Sequence, residues 1–466
     1  MHASSRIAPG CAHRAASRPP RVSFAGKRVL VIGLGHFGGG VGVTRWLASQ
    51  GAIISVTDTA GPDRLRESIN ALTGLPVRFQ LGGHDDVDLD SVDLAVVNPA
   101  IPKSGHRLFA EINSRSISWT TEINLFCERC PAPIVAVTGS FGKSTTSAML
   151  ATILERTGAH QVFLGGNIGR SLLPELDRIK ESDVVVLELS DAQLEDVPHI
   201  SWTPQVAIIT NLHPHHLDRY ASFAAYVETK LHILGNGAPP QCVIAGEMDT
   251  PAAAMLRDRA ARQGLSVVPV SEAESPIKLS VPGEHNQRNA RCALTAARAM
   301  GIADSEAQDA LNAFPGLPHR LEVVRELGGV QFVNDSKATA PSATVAAVTS
   351  FDRPVVVLVG GQQVRDADFG EFARVLAARC RLVVGMGESG ERMVGAVRAA
   401  IPADRHVGLS VRDSLEEVCA LAMSKANAGD VVLFSPGAPS YDAYANYCRR
   451  GEHFGAVVRG LTADRL

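Results

Sequence analysis

The sequence predicts an α/β protein of three domains built on parallel sheets. Apolar runs rich in Val, Ile and Leu recur and end in glycine or a polar turn: RVLVIGLG (28–35), AIISVTD (52–58), DLAVVNPA (93–100), PIVAVTGS (133–140), DVVVLELS (183–190), QVAIITNL (205–212), RPVVVLVGG (353–361), RLVVGMGE (381–388) and DVVLFSPG (430–437). Such continuous runs suit parallel strands covered on both faces. Amphipathic segments of helix length, such as 369–380 and 413–426, lie between them, and strands alternating with helices build a parallel sheet. Finally, 466 residues exceed one ordinary domain. CERCPAP (127–133) and the Pro/Gly-rich FPGLPHR (314–320) read as the joints. The expected layout is a disordered tail at 1–24, then domains at 25–130, 131–317 and 318–466.

Composition excludes several classes. The chain is 45% hydrophobic and 20% charged, with a formal net charge of −3, so no bulk basic charge points to nucleic acid or an anionic membrane. No apolar run reaches the roughly 20 residues of a membrane helix. Eight scattered cysteines do not form a disulfide framework. Cys127 and Cys130 lack the second pair that structural zinc requires, so they read as incidental reduced thiols. Residues 1–23 carry arginines but no acid and no apolar core, which excludes a secretory signal.

GLGHFG (33–38) follows the first apolar run, and Asp58 closes the next. This is a complete dinucleotide-type fingerprint. Gly33, Gly35 and Gly38 let the backbone approach a diphosphate, and the following helix N-terminus favours negative charge. Asp58 stands where an acid takes ribose hydroxyls. A nicotinamide or flavin cofactor and a nucleotide-diphosphate substrate satisfy this physics equally.

TGSFGKSTT (138–146) is the more specific loop. Amides from Gly139 to Lys143 can cradle phosphate oxygens, Lys143 supplies a point charge at the β/γ-phosphates, and Ser144 can ligate magnesium. The Gly-x-x-Gly-Lys spacing is shorter than the general phosphate-loop pattern. Downstream, Glu188 ends an apolar run, and an open sheet gathers ligands at its strand ends. Taken alone, Glu188 also reads as a helix-capping acid and Lys230, in YVETKLHIL, as a surface helix lysine. His213, His215 and His216 do not read as a zinc site, since adjacent histidines rarely converge on one ion.

TGSFGKSTT, GGNIG (165–169), LELS (187–190), HHLDRY (215–220), TKLHI (229–233), GEHNQRNA (283–290), GLPHRLE (316–322), NDSKAT (334–339) and NYCRRGEHF (446–454) occur in that order. Together they resemble the ATP-dependent Mur ligases over nearly all of the chain after residue 24, most of all those members that add glutamate. The resemblance implies a Rossmann-like first domain, a P-loop-type central ATPase and a Rossmann-like last domain that binds the amino acid. It implies a cytoplasmic, monomeric enzyme acting on UDP-N-acetylmuramoyl-L-alanine, glutamate and ATP with Mg²⁺, with an acyl phosphate as intermediate. It also settles the first loop in favour of uridine diphosphate: His36, Phe37, Asp58 and Thr59 would line uridine, with Asn98 and Asn167 near the diphosphate and sugar.

Around ATP the resemblance implies Thr138, Gly139, Ser140, Phe141, Gly142, Lys143, Ser144 and Thr145, with Asn286, Asn289 and His319 on the adenine side. Arg320 and Asp335 would reach the phosphates and ribose. Ser144, Glu188, His216 and Lys230 would surround the metal, Lys230 as a carbamate. Lys143, Glu188, His216 and Lys230 would carry the chemistry. Lys337, Thr339, Arg365, Ser440 and Tyr447 would hold the incoming amino acid.

Departures from the family pattern cluster. Phe141 replaces an asparagine, HPHH replaces an acidic pair, Asp191 replaces a serine, and Ala340 replaces an asparagine. After Gly360–Gly361 the chain reads QQVRDADF, one residue longer than usual and without the lysine that binds the incoming carboxylate. Arg365 is the substitute, since a guanidinium forks onto a carboxylate. These departures leave a shifted amino-acid specificity, including L-glutamate, or a nucleotide-binding protein without catalysis as alternatives.

Overall fold

The computed structural model describes residues 23–35, 38–85, 87–158, 160–214, 219–237, 239–270, 276–281, 283–363 and 368–462. Three sheets organise them. The first holds β1 (Arg28–Ile32), β2 (Ile53–Asp58), β3 (Val77–Leu81), β4 (Leu94–Val97) and β5 (Trp119–Thr120), all parallel in the order β3-β2-β1-β4-β5. Strand order reverses between β1 and β4, and such a switch point opens a ligand crevice at the carboxyl ends of the two strands.

The second sheet holds β6 (Ile134–Thr138), β7 (Val162–Gly166), β8 (Val184–Glu188), β9 (Val206–Ile209), β10 (Cys242–Ala245) and β11 (Val267–Pro269), parallel in the order β11-β10-β9-β6-β8-β7. β6 and β8 are buried at every residue, as the uninterrupted apolar runs required.

The third sheet holds β12 (Glu322–Leu327), β13 (Val330–Asn334), β14 (Val355–Gly360), β15 (Cys380–Met386), β16 (Gly408–Val411) and β17 (Val431–Phe434). Its order is β12-β13-β17-β14-β15-β16, and only β12 runs antiparallel. The β12–β13 hairpin turns on Gly328 and Gly329, at φ 60° and 74°, the double positive φ that a two-residue hairpin demands.

The chain divides into two compact units: residues 1–278 with 287–312, and 279–286 with 313–466. Within the first unit, one apolar core runs from Phe24 to Leu256 and joins the first two sheets. Phe24, assigned to the tail by sequence reading, is 4% exposed. Its ring meets Trp46 edge-on at 5.2 Å, and Arg129 lies 5.0 Å over it. Burying that aromatic face holds the chain down before the first strand. Residues 1–22 lie outside the described residues.

Polar ties reinforce this core. Lys103 Nζ meets Asp196 Oδ2 at 2.8 Å, and Asn124 Nδ2 donates to Asp196 O. Ser171 Oγ donates to buried Glu122 at 2.5 Å, and burial raises that carboxyl to about 7. Cys127 and Cys130 are buried, and burial pushes the Cys127 thiol up.

Candidate active site

The carboxyl ends of β6, β8 and β9 meet at one edge of the second sheet. β6 stops at Thr138, and the next two glycines are forced by close approach. A Cβ on Gly139 would lie 2.0 Å from Thr210 Oγ1, and one on Gly142, at φ 81°, would lie 2.2 Å from Asn289 Oδ1. The helix Lys143–Thr157 then begins with its first amides aimed into the loop, a geometry that favours an anion.

The loop between the glycines is clamped by its backbone. Ser140 N–H donates to Asn211 O, and Phe141 N–H to Asn211 Oδ1 at 2.9 Å. Thr210 Oγ1 (2.6 Å) and Asn211 Nδ2 (3.1 Å) both donate to Phe141 O. The Phe141 ring itself is 45% exposed, tilted toward His213 at 6.3 Å. The bulk that departs from the family pattern therefore points away from the cradle, and its main chain keeps the loop's bonds. Lys143 Nζ curls onto the loop, donating to Gly139 O and Ser140 O. Ser144 and Thr145 are buried at its base.

Beside this loop, Glu188 ends β8 with 0% exposure. Its Oε1 accepts from Asn167 Nδ2 at 2.7 Å, while Oε2 has no hydrogen-bond partner. Lys230, on the helix Phe223–Leu231, is also 0% exposed, with no hydrogen bond to Nζ. Its amine sits 3.7 Å from Asp191 Oδ1 and 4.9 Å over the Tyr226 ring. Burial first, then the neighbouring Lys143 charge, brings the Lys230 amine down to about 7. A surface helix lysine would show none of this.

Among the described residues no group of three His, Cys, Asp or Glu could chelate a metal. Magnesium keeps several waters and needs only one or two protein oxygens. The orphaned Glu188 Oε2 and the buried Ser144 hydroxyl at the base of the loop are oxygens of the kind that requirement asks for. His216 lies outside the described residues. Its neighbour His213 instead pairs with Glu247 at 2.8 Å, which also takes Arg288. Sequence reasoning missed Asn211, Thr210 and Tyr226 as supports of the phosphate loop; Tyr226 OH bonds Ser140 Oγ at 2.9 Å.

The first loop sits at the switch point of its sheet. Asn98 follows β4 and clamps the glycines: Nδ2 donates to Gly33 O, and a Cβ on Gly33 would lie 2.8 Å from Asn98 Cβ. Asp58 ends β2 with Oδ2 accepting from Gly35 N–H and Oδ1 from Ala60 N–H. Its carboxylate is thus already engaged in shaping the loop, while Thr59 beside it is exposed. His84, which sequence reasoning did not select, bonds Thr57 Oγ1 through Nδ1 at 2.8 Å. His36 and Phe37 lie outside the described residues.

The second unit collects the remaining positions. His319 and Leu321 adopt φ 61° and 46°, uncommon for non-glycine residues, and Arg320 sits between them. Asp335 holds this bend from inside: Oδ1 accepts from Leu321 N–H and Oδ2 from Ser435 Oγ, and burial raises its carboxyl to about 7. Lys337 Nζ lies 5.5 Å over the Tyr447 ring. Thr339 is exposed, and Ser440 is 2% exposed. Arg365 lies outside the described residues. Asn286 is also buried in this unit, whereas Asn289, further along the helix Glu284–Ala299, belongs to the first unit, where its Oδ1 accepts from Thr146 Oγ1.

Residues 137–277 match the Mur ligase middle domain, and residues 319–437 match the Mur ligase glutamate ligase domain. A UDP-N-acetylmuramoylalanine–D-glutamate ligase of Roseiflexus sp. (strain RS-1) is 36% identical, covering 95% of this chain and all of that protein. One from Pelotomaculum thermopropionicum is 34% identical, covering 94% and 98%. Among solved structures, the UDP-N-acetylmuramate-alanine ligase of Thermotoga maritima shares the fold at a TM-score of 0.62 and 19% identity, over 93% of this chain and 99% of that one.

Proposed function

The chain belongs to the Mur ligase family, and from that premise we propose that it joins D-glutamate to the alanyl carboxylate of UDP-N-acetylmuramoyl-L-alanine using ATP. The observation that carries this reading is the meeting, at one sheet edge, of a glycine-lined phosphate cradle, the half-satisfied Glu188 and the enclosed Lys230. A carboxylate is a poor electrophile at neutral pH. Phosphorylation makes one of its oxygens a leaving group, and the amine then attacks the carbonyl and expels phosphate.

The residues divide that work. Asn211 already holds the Ser140 and Phe141 amides, so the remaining loop amides at the helix start orient the triphosphate in line with the acceptor, and Lys143 uncurls from its carbonyl partners onto the β/γ-phosphates. Positioned cations offset the repulsion between two anions, which is most of what phosphoryl transfer asks of a protein. Magnesium, when bound through Ser144 and Glu188, supplies further positive charge to the phosphates. Asn167 fixes Glu188 twice over: its side chain donates to Glu188 Oε1, and its backbone N–H donates to Glu188 O. A carbamate formed on Lys230 would offer the metal an anion, where a bare ammonium would repel it. The uridine diphosphate lies on Gly33, Gly35 and Gly38, with Asn98 behind them. Lys337, Thr339, Ser440 and Tyr447 receive the glutamate.

The reading is tested by supplying UDP-N-acetylmuramoyl-L-alanine, ATP and Mg²⁺ with each amino acid in turn, and measuring phosphate release and product mass. D-glutamate alone should give a product. A response to L-glutamate alone means shifted specificity, and ATP binding without turnover means lost catalysis.

A further inference from the structure

Arg450, on the helix Tyr447–Gly460, is 0% exposed and heads the fully buried side chains by size. Its guanidinium is held by oxygens of two loops. Nε donates to Ser336 Oγ (3.1 Å) and Nη2 to Ser336 O (2.9 Å), while Nη1 donates to Ala438 O (3.0 Å) and Pro439 O (3.2 Å). The Phe434 ring stands 6.0 Å away. No described carboxylate forms an ion pair with it; Asp442 and Tyr444 only favour its charge from a distance. Burial brings it down to about 10, still cationic at neutral pH.

A buried cation met only by dipoles lacks the counter-charge that usually compensates desolvation. Its surroundings show where that complement belongs. The two loops it ties are those carrying Lys337, Thr339 and Ser440. A Cβ on Gly361, just past β14, would stand 2.9 Å from Arg450 Nη1. Pro439 O accepts from both Arg450 and Gln362 N–H (2.8 Å). Across a trans peptide the Ser440 N–H points the opposite way, and no cis peptide bond occurs among the described residues. That N–H and the Ser440 hydroxyl bond no described acceptor, although Ser440 is only 2% exposed. By drawing the Pro439 carbonyl inward, the guanidinium turns the Ser440 N–H away from itself.

We infer that Arg450 is the positioning residue of the amino-acid pocket. From beneath, it fixes the loops at 336–339 and 436–440 so that Ser440 presents its donors. Its uncompensated charge favours the two carboxylates that glutamate retains while its amine reacts. The inference rests on the reading of the chain as a glutamate ligase. Arg450 touches no substrate; it acts through Ser336, Ala438 and Pro439.

The test compares wild type with Arg450→Lys and Arg450→Met, varying glutamate, ATP and the muramyl substrate separately. The KM for glutamate should rise about tenfold in Arg450→Lys and further in Arg450→Met, with the other two KM values within about twofold. A merely structural role would lower the melting temperature and the active fraction and leave all three KM values unchanged. Should both variants fail to fold, Ser336→Ala decides: it removes one acceptor from Nε, and the KM for glutamate should rise about threefold. A folded variant with the wild-type KM for glutamate overturns the inference alone. A wild-type enzyme that turns over with no acidic amino acid overturns both it and the proposed function.

Discussion

Lys230 Nζ stands 3.7 Å from Asp191 Oδ1, with the lysine wholly enclosed. Asp191 Oδ2 in turn accepts from Tyr220 OH at 3.0 Å. An amine in that position has no path to solvent, so its purpose lies within the site. Lys230→Ala should lower turnover at least about a hundredfold. Short carboxylic acids should restore part of it, because the vacated space then admits a free carboxylate in place of a lysine carbamate. An unaffected rate, or a loss no carboxylic acid relieves, contradicts the carbamate.

Phe141 contributes its main chain rather than its ring. Two side chains converge on its carbonyl and one accepts from its N–H, while the ring is 45% exposed. Phe141→Asn should leave the KM for ATP within about threefold and change stability by less than about 0.5 kcal/mol. Asn211→Ala removes both an acceptor and a donor of the loop and should raise that KM about tenfold or more. Steady-state kinetics of the two variants check the contrast; a larger effect at Phe141 contradicts it.

Glu122 makes stability depend on pH. Its carboxyl is raised from 4.5 to about 7 by burial, against the opposing bond from Ser171. A raised folded value means that the protonated form fits the fold. That stability is fully present below about 4.5 and is lost as pH rises through about 7. Glu122→Gln keeps an acceptor for Ser171 and cannot ionise. Relative to wild type it should therefore gain on the order of 3 kcal/mol by pH 8 and little at pH 4.5. Denaturant titrations across that window measure it, and parallel curves contradict it.

Much of this arrangement is legible in the chain because its causes are local. Strands buried on both faces must be apolar throughout, so β6, β8 and β14 stand out. Gly139 and Gly142 have no room for a Cβ, so the loop announces itself. The β12–β13 hairpin escaped because β12 is an edge strand, exposed at Val323 and Glu326, and never forms an apolar run. The Gly328–Gly329 pair was the available signal. Asp191 showed only as a departure, because its partner Lys230 lies 39 positions away and only the fold joins them. Asn211 and Arg450 were hidden for the same reason: each acts on backbone atoms of distant loops, and contacts of that kind leave no spacing pattern.

Isotope transfer tests the central claim most directly. Acceptor labelled with ¹⁸O in both oxygens of the alanyl carboxylate is incubated with ATP, Mg²⁺ and D-glutamate, and the released phosphate is weighed. Attack of the carboxylate on the γ-phosphorus, followed by expulsion of phosphate by the amine, predicts one ¹⁸O in each phosphate formed. Phosphate without ¹⁸O, released alongside new peptide product, would mean that the acid was activated by another route and would contradict the account.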